Sequence, residues 1–486
     1  MDRYRQIRAA VFVLAALGLG ACARDATSPT TTAPRFAVAG SAGSYLVLFK
    51  SAGIPSDLGA RVQALGGTVA YSHAGAGLAT VTGLDAAGAA QLAAAKDIAD
   101  VEPDFTFSLD RPAASVAVDA AADFATSQSN PAGAGLFAWQ WNMRLIKADQ
   151  AWAKGKLGSS GVTVAILDTG IDYDATDLDG LVDLSRSASF IPFDDNITNT
   201  FFPARNKIND YNGHGTNVAS QVSSKAATLA GVTSKTTLIG VKVLSGFGSG
   251  SLSSVLAGIL WAADHGADVA NMSLGGGFAK AGLGQLVALI NRTFNYAKQK
   301  GMLIVVAAGN EELNLDHDGN LYKTYCGATH VLCVSAVGPT TFTGVGDQFA
   351  FYSNFGRSEI GVAGPGGNAQ PTGPDTFLVS PWPWGNDIAS WVWSYCAKQS
   401  LVFDAQHNIL GLAGCQSGHF LNGYIGTSQA TPHVAGLAAL LVDKLGHGKP
   451  QLIKQAILQS ADDLGQPGTD PFFGRGRINV ARAMGL

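Results

Sequence analysis

The chain has 486 residues, enough for one large core with smaller units attached to it. It carries 32 Lys and Arg against 36 Asp and Glu, a formal net charge of −4. With no dense basic run beyond the first residues, that balance argues against nucleic acid as a partner.

At the N-terminus, Arg3, Arg5 and Arg8 precede an apolar run from Ala9 to Leu19, which is too short for a permanent membrane span. A basic start, a short apolar centre and small residues after it predict an export signal over residues 1–21. The run ends in Leu19-Gly20-Ala21-Cys22, which resembles a bacterial lipobox and so implies lipid on Cys22 and a tether to the membrane. The alternative is an ordinary signal peptide cut near Ala21 or Ala23. Either way the protein is expected outside the cytoplasm: extracellular, periplasmic or held at the envelope. Residues 22–43, rich in Ala, Thr, Ser and Pro, read as a flexible tether.

Residues 44–106 carry the pattern of a small α+β unit. Tyr45 to Phe49 is strand-like and Pro55 to Leu65 has helical spacing. Gly67 to Ser72 and Leu78 to Thr82 read as strands, Asp85 to Lys96 as an Ala-rich helix, and Ile98 to Val101 as a last strand. The order β-α-β-β-α-β is ferredoxin-like. Residues 107–138, low in pattern and rich in Ala, Asp and Ser, read as a linker of the kind proteases cut.

From residue 139 to 486, apolar β-branched runs alternate with helical stretches. The runs are Val162–Leu167, Thr237–Val243, Val269–Met272, Leu303–Ala307 and His330–Val337. Parallel strands buried on both faces look like this, so the expected architecture is α/β, a doubly wound, mostly parallel sheet with helices on both sides.

Three segments of this domain carry chemistry. The first predicted strand runs straight into Asp168-Thr169-Gly170, at the strand end where open parallel sheets gather functional groups. An aspartic protease would need a second Asp-Thr/Ser-Gly copy, and the chain has none. Next, Asn212-Gly213-His214-Gly215-Thr216 opens a helical stretch, with glycines on both sides of the imidazole. Finally Gly426-Thr427-Ser428 introduces an apolar helix, placing a hydroxyl at a helix N-terminus that favours a developing anion. An alcohol becomes a nucleophile when a base takes its proton, and the base needs a carboxylate to fix its tautomer. The order Asp…His…Ser and the lack of any G-x-S-x-G oppose an esterase of the α/β-hydrolase type.

Val-Ala-Ile-Leu-Asp168-Thr-Gly-Ile-Asp, Gly-His214-Gly-Thr and Gly-Thr-Ser428-x-Ala-Thr-Pro-His-Val-Ala-Gly resemble the three signature segments of the subtilisin-like serine proteases. The resemblance implies a serine endopeptidase acting on polypeptides through an acyl-enzyme, with Asp168, His214 and Ser428 as its triad. It implies that residues 44–106 are an inhibitory prodomain and that maturation cuts the linker. Asn310, in Ala307-Ala308-Gly309-Asn310, matches the family's oxyanion donor, beside the Ser428 N–H. Ser273, Leu274, Gly275, Ala307 and Gly309 match the segments that line the substrate cleft. Gln429 stands where the family usually has Met, and His433 reads as a packed structural histidine.

No cofactor is expected for the chemistry, and the expected state is a monomer. A structural calcium is left open and unplaced. Asp172, Asp174, Asp177 and Asp179 form an acidic cluster, and Asp177 matches a position that often ligates calcium in the family. The loop Ser223–Leu229 lacks the Asn-rich stretch that completes such a site, and calcium wants about six to eight oxygens. Asp316-His317-Asp318-Gly319-Asn320 reads as a polar turn. Besides Cys22, four cysteines bound for an oxidising compartment pair by sequence proximity as Cys326–Cys333 and Cys396–Cys415, the alternative being free buried thiols. The stretch before Ser428 is longer than the family usually allows and holds Trp382, Trp384, Trp391 and Trp393. It is expected to form a satellite core, or else a wall of the cleft.

Overall fold

The computed structural model describes residues 40–486 apart from 110–114, 120–123, 281–282, 318, 320, 323, 341–346, 369–389, 405 and 413–419. The predicted signal, most of the tether, Cys22, Trp382, Trp384 and Cys415 therefore lie outside the described residues.

The N-terminal unit runs β1 (Gly40–Phe49), α1 (Leu58–Ala64), β2 (Thr68–His73), β3 (Leu78–Thr82), α2 (Ala86–Ala93) and β4 (Ile98–Ser108). Both helices are shorter than their periodicity suggests. Asp85 starts the second by capping its N-terminus, its carboxylate accepting the Gly88 N–H at 2.7 Å, and the helix stops at Ala93. Val47, Phe49, Val62, Val81, Leu92 and Ile98 close a small core between helices and sheet. Two features depart from expectation. β4 continues seven residues past Val101, to Ser108, and a further strand, β5 (Ser115–Asp119), lies within the stretch read as a patternless linker.

The large domain is built on β6 (Thr163–Asp168), α3 (His214–Val222), β7 (Thr237–Lys242), β8 (Ser249–Ser251), α4 (Leu252–Asp264), β9 (Val269–Met272), α5 (Gly284–Gln299), β10 (Leu303–Ala307), β11 (Val331–Gly338) and β12 (Ile360–Pro365). Strands β12-β11-β10-β9-β6-β7 pair in that order, all parallel. Side chains alternate between two cores. Val164 and Ile166 face the core that holds Val218 and Val434, while Ala165 and Leu167 face the one that holds Leu256 and Ile290. Both faces are thus covered, which is why the strands read as unbroken apolar runs.

The chain ends with β13 (Val392–Tyr395), β14 (Phe420–Tyr424), α6 (Thr427–Leu445) and α7 (Pro450–Ser460) among other short elements. The expectation of a satellite core is corrected here. Trp391, Trp393 and Tyr395 belong to the main core with Trp152 and Val434. Trp141 Nε1 donates to the Trp391 carbonyl at 2.9 Å, and the Trp139 and Trp393 rings meet edge to face. An aromatic side chain as buried as Trp393, at 1% exposure, contributes about 2–3 kcal/mol and is best used in the largest core within reach.

Candidate active site

Asp168 is the last residue of β6, and His214 the first of α3. His214 Nδ1 lies 2.8 Å from Asp168 Oδ1, which also accepts the Thr169 N–H at 2.7 Å. Asp168 is fully buried and His214 is 3% exposed. Burial by itself would lower the imidazole pKa; the charge and hydrogen bond of Asp168, with the charge of Asp210, raise it on balance above its ordinary value. The two glycines flanking His214 have distinct reasons. Gly213 takes φ +99° to turn into the helix, and a Cβ on Gly215 would lie 2.1 Å from the Gly170 carbonyl.

Ser428 sits in the first turn of α6, 8% exposed. Its hydroxyl donates to the Ser273 carbonyl at 3.1 Å, and the Ser273 hydroxyl donates to the Ser428 carbonyl at 2.7 Å. Helices α3 and α6 pack against each other, and Gln429 Nε2 reaches Asn217 Oδ1 between them. His433 is buried in the same helix. Its Nδ1–H donates to the Gln429 carbonyl at 2.7 Å, Asn142 Nδ2 donates to its Nε2 at 2.8 Å, and burial pushes its pKa down to about 4. It is a neutral packing residue.

Asn310 Oδ1 accepts the Thr427 N–H at 2.8 Å and the Thr427 hydroxyl at 3.0 Å, which commits the acceptor end of the amide and leaves Nδ2 as the donor end. Ser273, Leu274 and Gly275 follow β9, while Ala307 ends β10, its parallel neighbour, and Gly309 lies two residues beyond. Gly309 N donates to the Thr427 hydroxyl at 3.0 Å.

One functional residue escaped the reading of the sequence. Asp210 Oδ1 accepts from the N–H groups of Asn212 and Gly213 at 2.9 Å each and from the Thr169 hydroxyl at 3.0 Å. Its Oδ2 accepts from Thr216 N at 2.9 Å and from Thr216 Oγ1 at 2.6 Å. This buried carboxylate therefore fixes the turn that presents His214. An Asp four residues before the His of Gly-His-Gly was the available signal. Beneath it, Lys242 and Asp194 form a fully buried ion pair at 2.6 Å, and Lys242 also donates to the Asn209 carbonyl at 2.7 Å.

The acidic cluster is satisfied within the protein. Asp172 and Asp174 both pair with Arg205, and Asp179 with Lys225. Asp177 accepts the N–H groups of Ala227 at 2.6 Å, Thr228 at 3.2 Å and Leu229 at 2.9 Å. Main-chain donors thus occupy the carboxylate that a calcium would need. Among the described residues, no three or more His, Cys, Asp or Glu side chains gather as a metal-binding group. Asp316 accepts the main-chain N–H groups of Arg357 and Ser358. Cys326 and Cys333 form a disulfide, and Cys396 is disulfide-bonded.

The chain's own residues 106–109 lie against the strand and cavity beside His214. Thr106, Phe107 and Ser108 of β4 pair antiparallel with Ser251, Gly250 and Ser249 of β8, so that β8 completes a five-stranded sheet β2-β3-β1-β4-β8. Leu109 N donates to the Gly248 carbonyl at 2.6 Å. Its side chain shares a cavity with His214, Asn212, Phe247 and Tyr424. Phe105 stacks on Phe278 with ring centroids 6.0 Å apart, and Phe107 fills the space over Gly276, where a Cβ would come within 2.9 Å of its ring. Asp104, 2% exposed, accepts from Ser253 N at 3.0 Å and Ser253 Oγ at 2.5 Å at the start of α4. Arg292 of α5 donates to the Phe49 carbonyl at 2.6 Å.

The Subtilase family profile matches residues 159–476. A thermophilic serine proteinase of Bacillus sp. (strain AK1) is 32% identical over 350 residues, 71% of this chain and 67% of that protein. Thermitase of Thermoactinomyces vulgaris is 30% identical over 351 residues, 71% of this chain and 95% of that protein. Among solved structures, the epidermin leader peptide processing serine protease of Staphylococcus aureus superposes with a TM-score of 0.67 at 22% identity, covering 91% of this chain and 98% of that one. Fervidolysin of Fervidobacterium pennivorans, described as a keratinolytic enzyme related to subtilisin, gives 0.65 at 22% identity over 91% of this chain and 61% of its own. At those identities the superpositions speak for the fold alone.

Proposed function

The chain belongs to the Subtilase family and is a serine endopeptidase; from that premise we propose that it is exported as an autoinhibited precursor whose nucleophile is Ser428. The observation that carries this reading is the His214–Asp168 contact of 2.8 Å in a buried setting, with Ser428 at the head of the helix packed on α3.

In the proposed cycle the Ser428 hydroxyl turns from the Ser273 carbonyl to His214 Nε2. The imidazole takes its proton as Oγ attacks the scissile carbonyl, while Asp168 holds Nδ1–H and balances the imidazolium. Asn310 Nδ2 and the Ser428 N–H donate to the oxyanion. The imidazolium then protonates the leaving amine, and the acyl-enzyme remains on Ser428. Water, deprotonated by His214, attacks the ester, and the proton returns to Ser428 as the acid leaves. Ser273, Leu274, Gly275, Ala307 and Gly309 would border the peptide.

Residues 44–106 act in this reading as the inhibitory prosegment, with Leu109 seated against His214 so that the unprocessed chain blocks its own cleft. Maturation cuts between Leu109 and Ser115. Export follows from the leader, and lipid on Cys22 would hold the precursor at the membrane. A serine-directed phosphonate should label Ser428 in the matured protein and be excluded from the precursor. A matured protein that stays unlabelled overturns the assignment.

A further inference from the structure

Two fully buried charges take no part in the proposed cycle. Lys242, the last residue of β7, pairs at 2.6 Å with Asp194, in the first turn of the helix Pro192–Phe201. Neither side chain has any solvent exposure. Taking two charges out of water is costly, and a well-packed apolar pair of similar volume commonly serves stability as well or better. Holding the fold together is therefore a weak account of this pair. Its other partners give a better one.

Asp194 Oδ2 accepts the Gly246 N–H at 2.9 Å as well as the Lys242 ammonium. Lys242 Nζ also donates to the Asn209 carbonyl at 2.7 Å and lies 4.4 Å from the centroid of the Tyr211 ring. The pair thus ties two loops together. One is the turn Ser245–Gly248, closed by Gly248 N on the Ser245 carbonyl at 2.8 Å and leading into β8. The Gly248 carbonyl of that turn accepts Leu109 N at 2.6 Å, so it receives the main chain of the peptide lying on β8. The other loop runs from Asn209 to Gly213, is built around Asp210 and presents His214. The half-buried Asn212 spans the same gap, its Nδ2 donating to the Gly246 carbonyl at 3.0 Å. Thr198 fastens the helix to this junction through the Tyr211 hydroxyl, 2.8 Å away.

We infer that Asp194 and Lys242 are positioning residues that set the register between the substrate main chain and the catalytic imidazole. They hold the turn that receives the peptide at a fixed place relative to the loop that carries His214. The inference rests on the endopeptidase reading and names a part of its machinery that touches neither substrate nor nucleophile. Charge-assisted hydrogen bonds suit this task because they are short and directional, whereas apolar contact is not. The task matters because a misplacement of about 1 Å at the reacting atoms can cost about 10²-fold in rate. Asp210 holds the histidine loop through its own five donors. The pair therefore governs where the peptide lies relative to the imidazole, and leaves the presentation of the imidazole to Asp210.

Two double variants test this in the matured enzyme. Asp194→Leu with Lys242→Met replaces the pair by apolar side chains and leaves no charge unpaired. Asp194→Asn with Lys242→Met does the same but keeps an amide oxygen for the Gly246 N–H. On a synthetic peptide copied from residues 103–119, the first should lose about 10²-fold in kcat with KM little changed. The second should lose about tenfold, the difference being one retained hydrogen bond. A small serine-directed phosphonate, which reaches Ser428 without pairing to β8, should label both within about twofold of the parent rate. A double variant with the parent's melting temperature and the parent's kcat would overturn the inference, because the pair would then serve the fold alone. So would a loss of labelling as large as the loss of peptide turnover, because the pair would then hold the imidazole itself. If the first variant does not fold, the second decides by the same two readings. A parent enzyme that neither takes the label nor hydrolyses unfolded casein would overturn the endopeptidase reading beneath.

Discussion

His214 Nδ1 stands 2.8 Å from a carboxylate with no solvent exposure, so the imidazole is held in one orientation by a charge that water does not screen. The raised pKa that results has a sign that can be checked. The base must be neutral to accept the Ser428 proton, so a raised pKa moves the acid limb of kcat/KM to a pH above the ordinary imidazole value of about 6.5. Releasing the prosegment removes some of the burial that opposes the shift and does not reverse it. The Asp168→Asn variant should lose about 10⁴-fold in kcat and show its acid limb at lower pH. A pH–rate profile of the matured enzyme checks both.

Asn310→Ala should leave the KM of a peptide substrate nearly unchanged while lowering kcat by about 10²–10³-fold, a size measured for the corresponding loss in a subtilisin. Because Thr427 uses Oδ1 and leaves Nδ2 as the donor, Asn310→Asp should be as impaired as the alanine variant. Steady-state kinetics decides. An equal fall in kcat with a large rise in KM would point to a binding role instead.

A Ser428→Ala precursor should stay intact in mass spectrometry where the parent chain is cut between Leu109 and Ser115. The same experiment under non-reducing conditions should recover a peptide joining Cys326 to Cys333. Normal processing of the alanine precursor would assign maturation to another protease.

Phe107 occupies the space over Gly276, and Asp104 caps α4. In the precursor, Asp104→Ala and Gly276→Val should each weaken the hold of the prosegment, read as faster phosphonate labelling of Ser428 before processing. Asp104→Ala alters nothing in the catalytic row, so the matured enzyme it yields should have the parent kcat. A slower matured enzyme would show that this carboxylate helps fold the domain and does more than seat the prosegment.

Asp177→Ala would leave three buried main-chain N–H groups without their acceptor, at a cost of about 3 kcal/mol or more. A fall in melting temperature checks this, and Asp177→Asn should cost less because its amide oxygen still accepts. Added calcium should restore neither variant.

The elements that read well from the sequence were those whose neighbours mattered least. Strands β6, β9 and β10 fall within a residue of their apolar runs, because a strand covered on both faces must be apolar at every position. The site residues were legible because a turn beside a carboxylate or an alcohol constrains its own sequence: Gly213 needs a positive φ, and Gly215 has no room for a Cβ. Asp210 had only its spacing from His214 as a signal, since its five donors come from residues whose convergence only the folded loop reveals.

By itself, then, the sequence determined the alternation of the main sheet's strands with helices, the family and the three chemically loaded segments, since each is written in local residue patterns. Tertiary structure alone decided that Trp393 joins the main core, that the Asp177 carboxylate accepts three loop N–H groups, and that residues 106–109 lie on β8 and residues 115–119 on β14. Those outcomes depend on which distant donors and edges fold within reach. Strand pairing such as that of β4 with β8, or β5 with β14, leaves almost no trace in a sequence because the bonds are made by the main chain, which every residue shares.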